Sequence, residues 1–217
     1  MAITFVAGVA SATNTSGTTT SGIDTTGANF LLVAAPHFNE PSITDSKGNT
    51  WSRLNVTGTD PKLAFWIAVN ATVGASHTAT ANAVNCFSPV VFLAYSVVNT
   101  TSPTDQQNGG TATSSTTVTP GSITPSENNC LVVSASGSNT AAASLSSIDG
   151  GFSTRAGIAG AAGSYYGVSV SDLIQTSAAA ANPTHTWSAS GGLTAIIASF
   201  KAAVTGRANF LTLLGVS

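Results

Sequence analysis

The chain has 217 residues, of which 42% are hydrophobic and only 6% are charged, and its net charge is −2. Soluble domains typically have about 25% charged residues, so serine, threonine, asparagine and glycine supply the polarity here. The basic residues are scattered singly and do not form the basic patch that nucleic-acid binding needs. No apolar run approaches the ~20 residues that a spanning helix needs. We therefore expect neither a nucleic-acid partner nor a membrane.

The N-terminal segment and the cysteines indicate where the chain is made. Residues Met1–Phe5 lack a basic region followed by a long apolar one, so we expect no secretory signal peptide and synthesis in a host cytoplasm. In such a reducing compartment, Cys86 and Cys130 are expected to be free, buried small hydrophobes rather than a disulfide.

In chain order, β-branched or alternating runs are separated by glycine, asparagine, proline and serine, which is typical of strands joined by turns. The first series of predicted strands is Ile3–Ala12, Asn29–Pro36, Thr50–Val56, Leu63–Asn70, His77–Asn82 and Pro89–Val98. The second series is Thr111–Val118, Cys130–Ser136, Phe152–Ala156, Tyr165–Ser171, His185–Ala189 and Leu193–Ala202.

The two series resemble each other in the same order, which indicates a duplicated unit. For example, 27–35 matches 127–135, 63–69 matches 164–170, and His77 matches His185. The segment between the two series contains the predicted strand Thr111–Val118 rather than a linker. We therefore expect two sheets that bury each other's apolar faces rather than tandem domains.

The predicted fold class follows from this duplication. We predict an all-β chain that forms a single β-sandwich with jelly-roll-like connections and about eight to ten antiparallel strands. It occupies residues 1–203, with sequence-related halves of about 1–100 and 101–203, and a short C-terminal tail follows at 204–217.

The segment Asp45–Trp51 is a predicted turn with a clear mechanism. Aspartate can accept a hydrogen bond from the amide two residues on, and Gly48-Asn49 tolerates positive φ. Trp51 and Phe152 follow their turns at equivalent places, and we expect them to close the ends of the sandwich.

Residues that carry chemistry are scarce. His77 and His185 are related by the repeat and are therefore expected to lie far apart, whereas a metal site needs converging ligands. Asp45, Asn49 and Asp149 lack the acidic cage of a Ca²⁺ site. The chain has no nucleophile elbow, phosphate loop or CxxC motif. We therefore predict no catalytic residues, no metal and no cofactor, and a protein that is not an enzyme.

The C-terminal tail has no counterpart after the first unit. Phe210, Leu211, Leu213 and Leu214 are too apolar to remain in water. The tail either packs back on the sandwich or forms an arm that docks on a neighbouring subunit, and we take these four residues as candidate partner contacts.

Two aromatic pairs are further candidates for partner contacts. Phe65 and Trp66 are adjacent in a strand, so one of them is expected to face outward or towards a partner. Tyr165 and Tyr166 are expected to occupy the matching place in the second half. The pairs are interpreted as a subunit contact, as a sugar-binding platform or as ordinary packing.

Three segments carry a resemblance to known proteins: the D-x-x-G-N-x-[WY] turn at Asp45–Trp51, the aromatic strand Leu63–Ala68, and the closing strand Ala195–Lys201. Over residues 27–202 the chain resembles β-sandwich domains of uncharacterised bacterial surface proteins and of phage structural proteins. The resemblance transfers no catalytic residues.

The resemblance implies a virion structural protein. Its most concrete form is a capsid decoration or cement protein that forms a homo-oligomer, a trimer in the simplest arrangement, and contacts the major capsid protein or another virion protein. A chain that starts at Met1 without an attached module favours this reading. The alternative is a carbohydrate-binding or adhesive module of a tail, a fibre or a bacterial surface protein, with a glycan as its partner.

Overall fold

The computed structural model describes residues 2–12, 17–82, 88–160 and 166–204. Within these ranges the only regular secondary structure is the β-strand, so the all-β prediction is confirmed. Outside the described residues lie Cys86, Tyr165 and the four tail residues Phe210, Leu211, Leu213 and Leu214.

The described residues form fourteen strands, whereas eight to ten were expected. The strands of the first half are β1 (Thr4–Ser11), β2 (Gly17–Thr19), β3 (Phe30–His37), β4 (Ser42–Asp45), β5 (Ser52–Arg53), β6 (Lys62–Val69), β7 (Ala79–Asn82) and β8 (Val90–Ser96). Those of the second half are β9 (Thr104–Val118), β10 (Cys130–Ser138), β11 (Leu145–Ile148), β12 (Ser153–Ile158), β13 (Gly167–Gln175) and β14 (His185–Phe200).

The sheet topology repeats the duplication seen in the sequence. In the first half a five-stranded sheet has the order β1-β8-β3-β6-β5, and a three-stranded sheet has the order β2-β7-β4. In the second half the large sheet has the order β9-β14-β10-β13-β12, and β11 pairs with the start of β14. Strand β9 is long because it covers the places that β1 and β2 occupy in the first half. Strand β14 is long because it covers the places of β7 and β8. Each half thus has jelly-roll connections.

The largest hydrophobic core joins the two halves. On β3, Phe30 and Leu32 face the large sheet of the second half, whereas Leu31 and Val33 face the small sheet of the first half. All residues of β3 are buried, as expected for a strand that is apolar at nearly every position. The layers are therefore the small sheet of the first half and two large sheets packed on each other, and the second large sheet continues into β11 along the start of β14.

The strand registers shift the alignment of the two halves, and the match of 27–35 with 127–135 moves by one residue because Ala34 is equivalent to Ala135. Ala34 pairs with Phe65 and with Val91, and at the equivalent position Ala135 pairs with Val170 and with Ile196. The second-half counterparts of Phe65 and Trp66 are therefore Val170 and Ser171. The predicted match with the two tyrosines is wrong, because both precede β13. The low complexity of the sequence allowed a false match four residues away from the true one.

The two halves place their core tryptophan on opposite sheets. Trp66 projects from the large sheet of the first half, and its counterpart in the second half is Ser171. Trp187 projects instead from the start of β14, the segment that corresponds to β7 of the first half. Its indole Nε1 donates to Ser136 Oγ over 3.1 Å. A tryptophan from the facing sheet thus fills the space, so close packing is kept.

The turn after β4 has the predicted hydrogen bonds. Asp45 Oδ1 accepts from the Lys47 amide at 2.7 Å, and Gly48 has a φ of 74°. Asp45 Oδ2 accepts from Trp51 Nε1 at 2.7 Å, and the Trp51 ring lies edge-on to Phe92 with centroids 6.3 Å apart. Phe152 packs in the equivalent core of the second half. Each of the two aromatic side chains thus packs against the core of its own half.

Candidate functional site

Phe65 and Trp66 are both buried by the chain itself. Phe65 is 2% exposed in the core between the halves, and Trp66 is 4% exposed inside the first jelly roll, 5.7 Å from the His37 ring. The prediction that one of them contacts a partner is wrong, because the second half and the small sheet cover the two faces of β6. Tyr166 is partly exposed, and its hydroxyl donates to Asp60 Oδ1 over 2.7 Å.

An aspartate, a histidine and a threonine form a line inside the first jelly roll. His77 Nε2 lies 3.2 Å from Asp45 Oδ1, and both side chains are fully buried. His77 Nδ1 lies 2.9 Å from Thr25 Oγ1, which also accepts from the Gly74 amide at 3.0 Å. The order of groups is that of an Asp-His-hydroxyl catalytic triad.

Burial makes this line structural rather than catalytic. Desolvation lowers the pKa of His77 despite the opposing effect of Asp45, so the imidazole is neutral. Burial alone would raise the pKa of Asp45, but hydrogen bonds from Lys47, Trp51 and Asn49, together with the neighbouring His77, outweigh it and lower that pKa. Thr25 is fully buried, and it lines none of the three clefts described below, so its hydroxyl is not placed to meet a substrate.

A second polar cluster lies between the two halves. Asp172 Oδ2 accepts from the Tyr95 hydroxyl at 2.9 Å, and Asp172 Oδ1 accepts from Arg155 Nε at 2.8 Å. The guanidinium of Arg155 also lies 4.5 Å from the centre of the Phe5 ring. Burial raises the pKa of Asp172, and burial together with Asp172 raises that of Tyr95 well above its usual value. The cluster ties the halves together at a fixed orientation.

The interior of the second jelly roll is rich in hydroxyl groups, unlike that of the first. Buried serines line it at positions 134, 136, 138, 169 and 171. Ser134 donates to the Ile196 carbonyl over 3.1 Å and lies 2.8 Å from His185 Nε2, which therefore carries the proton of a neutral imidazole. Burial lowers the pKa of His185 to about 4. The sequence signal was present as serines at alternate positions, a pattern that usually indicates an exposed face.

One of these hydroxyl groups lies at the base of an open cleft. The cleft has a volume of about 350 Å³ and lies over β13 between β11 and β12. Ser169 is 2% exposed, and its Oγ has no hydrogen-bond partner in the structure. In the sequence, nothing distinguishes Ser169 from the other serines at alternate positions of its strand.

Two further grooves follow the polar strand β9. One of about 590 Å³ is lined by Asp60, by Thr111–Ser114 of β9 and by Gly191–Thr194 of β14. The other, of about 520 Å³, is lined by Arg53–Thr57 and by Gln107–Gly109. Their polar groups largely hold the two halves together, as when Gln107 Oε1 accepts from the Asn55 amide at 3.0 Å.

Two long strands end the large sheets at equivalent positions. Among the described strands, β1 pairs only with β8, and β9 pairs only with β14. Strand β1 has no charged residue and β9 has only Asp105, which accepts from the amide and the hydroxyl of Ser126. Lysine and proline, which commonly protect sheet edges, are absent from both strands.

Two features are absent from the described ranges, a metal-binding cluster and a membrane-spanning helix. No group of three or more histidine, cysteine, aspartate or glutamate residues in those ranges is placed to hold a metal ion. The same part of the chain has no helix that is long and apolar enough to cross a membrane. Cys130 is a buried free thiol whose pKa is raised by desolvation.

Comparisons with known proteins add no relative. Neither a protein-family model, nor a curated protein, nor a solved structure matches the chain.

Proposed function

We propose that this protein is a non-enzymatic structural protein of a phage virion, of the capsid decoration or cement type, that assembles with further copies of itself on the capsid surface. The proposal is supported by the duplicated jelly-roll topology, because this architecture is common in proteins that build viral capsids. The low content of charged residues suits a surface that packs closely against neighbouring subunits.

The observation that carries the proposal is the pair of edge strands β1 and β9. A long, nearly uncharged edge presents unpaired backbone groups and is a template for pairing with another chain. Monomeric proteins usually protect such edges, so two of them at equivalent positions favour an assembly that covers them. A closed homo-oligomer, such as a trimer, bound to the major capsid protein would do so.

The contacts of the buried aspartate and histidine side chains are consistent with a structural role for the protein. Asp45 and His77 support a turn, Asp172 joins the two halves, and His185 holds a core serine. The alternative of a carbohydrate-binding or adhesive module loses one of its two aromatic pairs, because Phe65 and Trp66 are buried. In the other pair, Tyr166 is partly exposed and Tyr165 lies outside the described residues.

Quantitative mass spectrometry of purified virions from the source of this sequence tests the proposal. A decoration protein is expected in hundreds of copies per particle, measured against the major capsid protein, whereas a tail or collar protein is expected in a few dozen or fewer. Absence from purified particles, together with a monomer in solution by analytical ultracentrifugation, would contradict a virion role.

A further inference from the structure

We propose that the cleft between β11 and β12 is a binding site for a single neutral sugar residue. This inference is independent of the virion role, since a decoration protein and a protein of another kind could each carry such a site.

The base of the cleft presents an unused hydroxyl group. Ser169 Oγ is buried without a partner, whereas the neighbouring core serines are paired: Ser134 with His185, Ser136 with Trp187, and Ser171 with Thr154. A buried hydroxyl without a hydrogen bond destabilises a fold. A ligand hydroxyl that enters the cleft would satisfy Ser169 and remove that penalty.

The glycine at position 157 leaves space beside the buried hydroxyl of Ser169. A Cβ atom placed on Gly157 would lie 3.0 Å from Ser169 Oγ and 3.0 Å from the Val168 carbonyl oxygen. Any side chain at position 157 would therefore crowd the hydroxyl. Gly157 has no positive φ, so turn geometry does not explain the glycine.

The first half provides an internal comparison. In the ladders of the two large sheets, the position of Ser169 is occupied by Ala64 in the first half, where it packs in an apolar core. The same topology thus forms with an apolar residue at this place. The hydroxyl of Ser169 is not required by the fold, which favours a role in binding.

The lining of the cleft defines the class of ligand. It combines hydroxyl groups with apolar side chains and contains no charged residue among the residues that form it: Ser144, Leu145, Ser146, Ser147, Thr154, Gly157, Ile158, Ala159, Val168 and Ser169. Hydroxyl groups both donate and accept, and the apolar groups match the C–H faces of a sugar ring. The volume of about 350 Å³ lies at the lower end of the range for small-molecule sites. Without an aromatic ring in the lining, we expect weak binding.

Titration of the ¹⁵N-labelled full chain with neutral monosaccharides tests the site by NMR. The probes are glucose, galactose, mannose and N-acetylglucosamine at increasing millimolar concentrations. At least one sugar is expected to give saturable amide shifts centred on Ser146, Gly157 and Ser169. Ser169→Ala and Gly157→Ala are each expected to weaken that binding by about tenfold or more.

Two controls separate loss of binding from loss of folding. Ser169→Ala removes an unpartnered hydroxyl, so its melting temperature is expected to stay at or above that of the parent protein. Ser42→Ala, on the equivalent strand β4 of the first half, is expected to leave the titration unchanged.

The proposal is overturned if none of the sugars gives a saturable shift, if the shifts spread evenly over the hydroxyl-rich surface, or if both cleft variants bind as the parent protein does. Each of these results leaves the copy number in virions untouched, so the failure of the site and the failure of the virion role are distinguishable.

Discussion

At the scale of single residues, the environment rather than the residue type decides what each polar group does. His77 and His185 are both buried and neutral, but each belongs to a different jelly roll and has a different neighbour, Asp45 in one and Ser134 in the other. Asp172 stands where the first half has Ile67 and turns an apolar contact between the halves into a hydrogen-bonded one. These groups therefore act on stability and its dependence on pH.

His185 is expected to make the fold sensitive to acid. Its pKa is about 4 in the folded protein and about 6.5 when unfolded, so between these values the unfolded chain binds more protons. The stability is complete above pH 6.5 and falls as the pH drops towards 4, by about 3 kcal/mol from this residue. Urea unfolding of the parent protein and of His185→Gln at a series of pH values measures the effect.

Comparing how the free energy of unfolding changes with pH in the two proteins isolates His185 from other groups. The lowered pKa of Asp45 also costs stability in acid, and the raised pKa of Asp172 acts in the opposite direction, but both remain in the variant. The variant is expected to lose less stability between pH 6.5 and 4 than the parent. Equal losses in the two proteins would show that His185 does not titrate as its burial implies.

At the scale of elements, strands β9 and β1 are the edges on which assembly is proposed to depend. A lysine at the edge of a strand disfavours pairing with a second chain because its charge must be desolvated. Thr113→Lys, on the exposed part of β9, is expected to reduce self-association without unfolding the chain. Thr176→Lys, on the exposed loop after β13, is the matched control with the same change of charge.

Sedimentation velocity at several protein concentrations measures this prediction. The parent protein and Thr176→Lys are expected to form the same oligomer, and Thr113→Lys is expected to shift towards the monomer. If Thr113→Lys assembles as well as the control, the β9 edge is not part of the interface.

At the scale of the whole molecule, the two halves depend on each other. The core between the large sheets includes Phe30, Leu32, Leu63, Phe65 and Leu93 from the first half, and separation of the halves would expose them all. Since burial of each such side chain contributes about 1.5–3 kcal/mol, neither half is expected to be stable alone. The chain is thus expected to unfold as one cooperative unit.

Fragments 1–103 and 104–204 test this dependence. Each is expected to aggregate or to lack near-ultraviolet circular dichroism when refolded alone, and a mixture refolded together is expected to give a soluble one-to-one complex with the spectrum of the intact chain. Two fragments that fold as monomers and do not bind each other would contradict the expectation.

The sequence by itself determined the features that depend on local chemistry. Alternating and β-branched runs defined most of the strands, the repeat defined the two halves, and the Asp45 turn with Trp51 was predicted down to its hydrogen bond to the amide of Lys47. Each of these features arises within a few residues of chain, where turn chemistry and side-chain alternation act directly.

Only the tertiary structure decided which layer each side chain of the buried strands faces. A strand that is apolar at every position has no periodicity to orient it, so the opposite burial of Phe65 and Trp66 was not predictable. The register of β13 depends on ladders to β10 and β12. The alternating serines that resemble an exposed face line a core instead, and Ser169 at the base of a cleft becomes visible only when strands distant in the sequence are brought together.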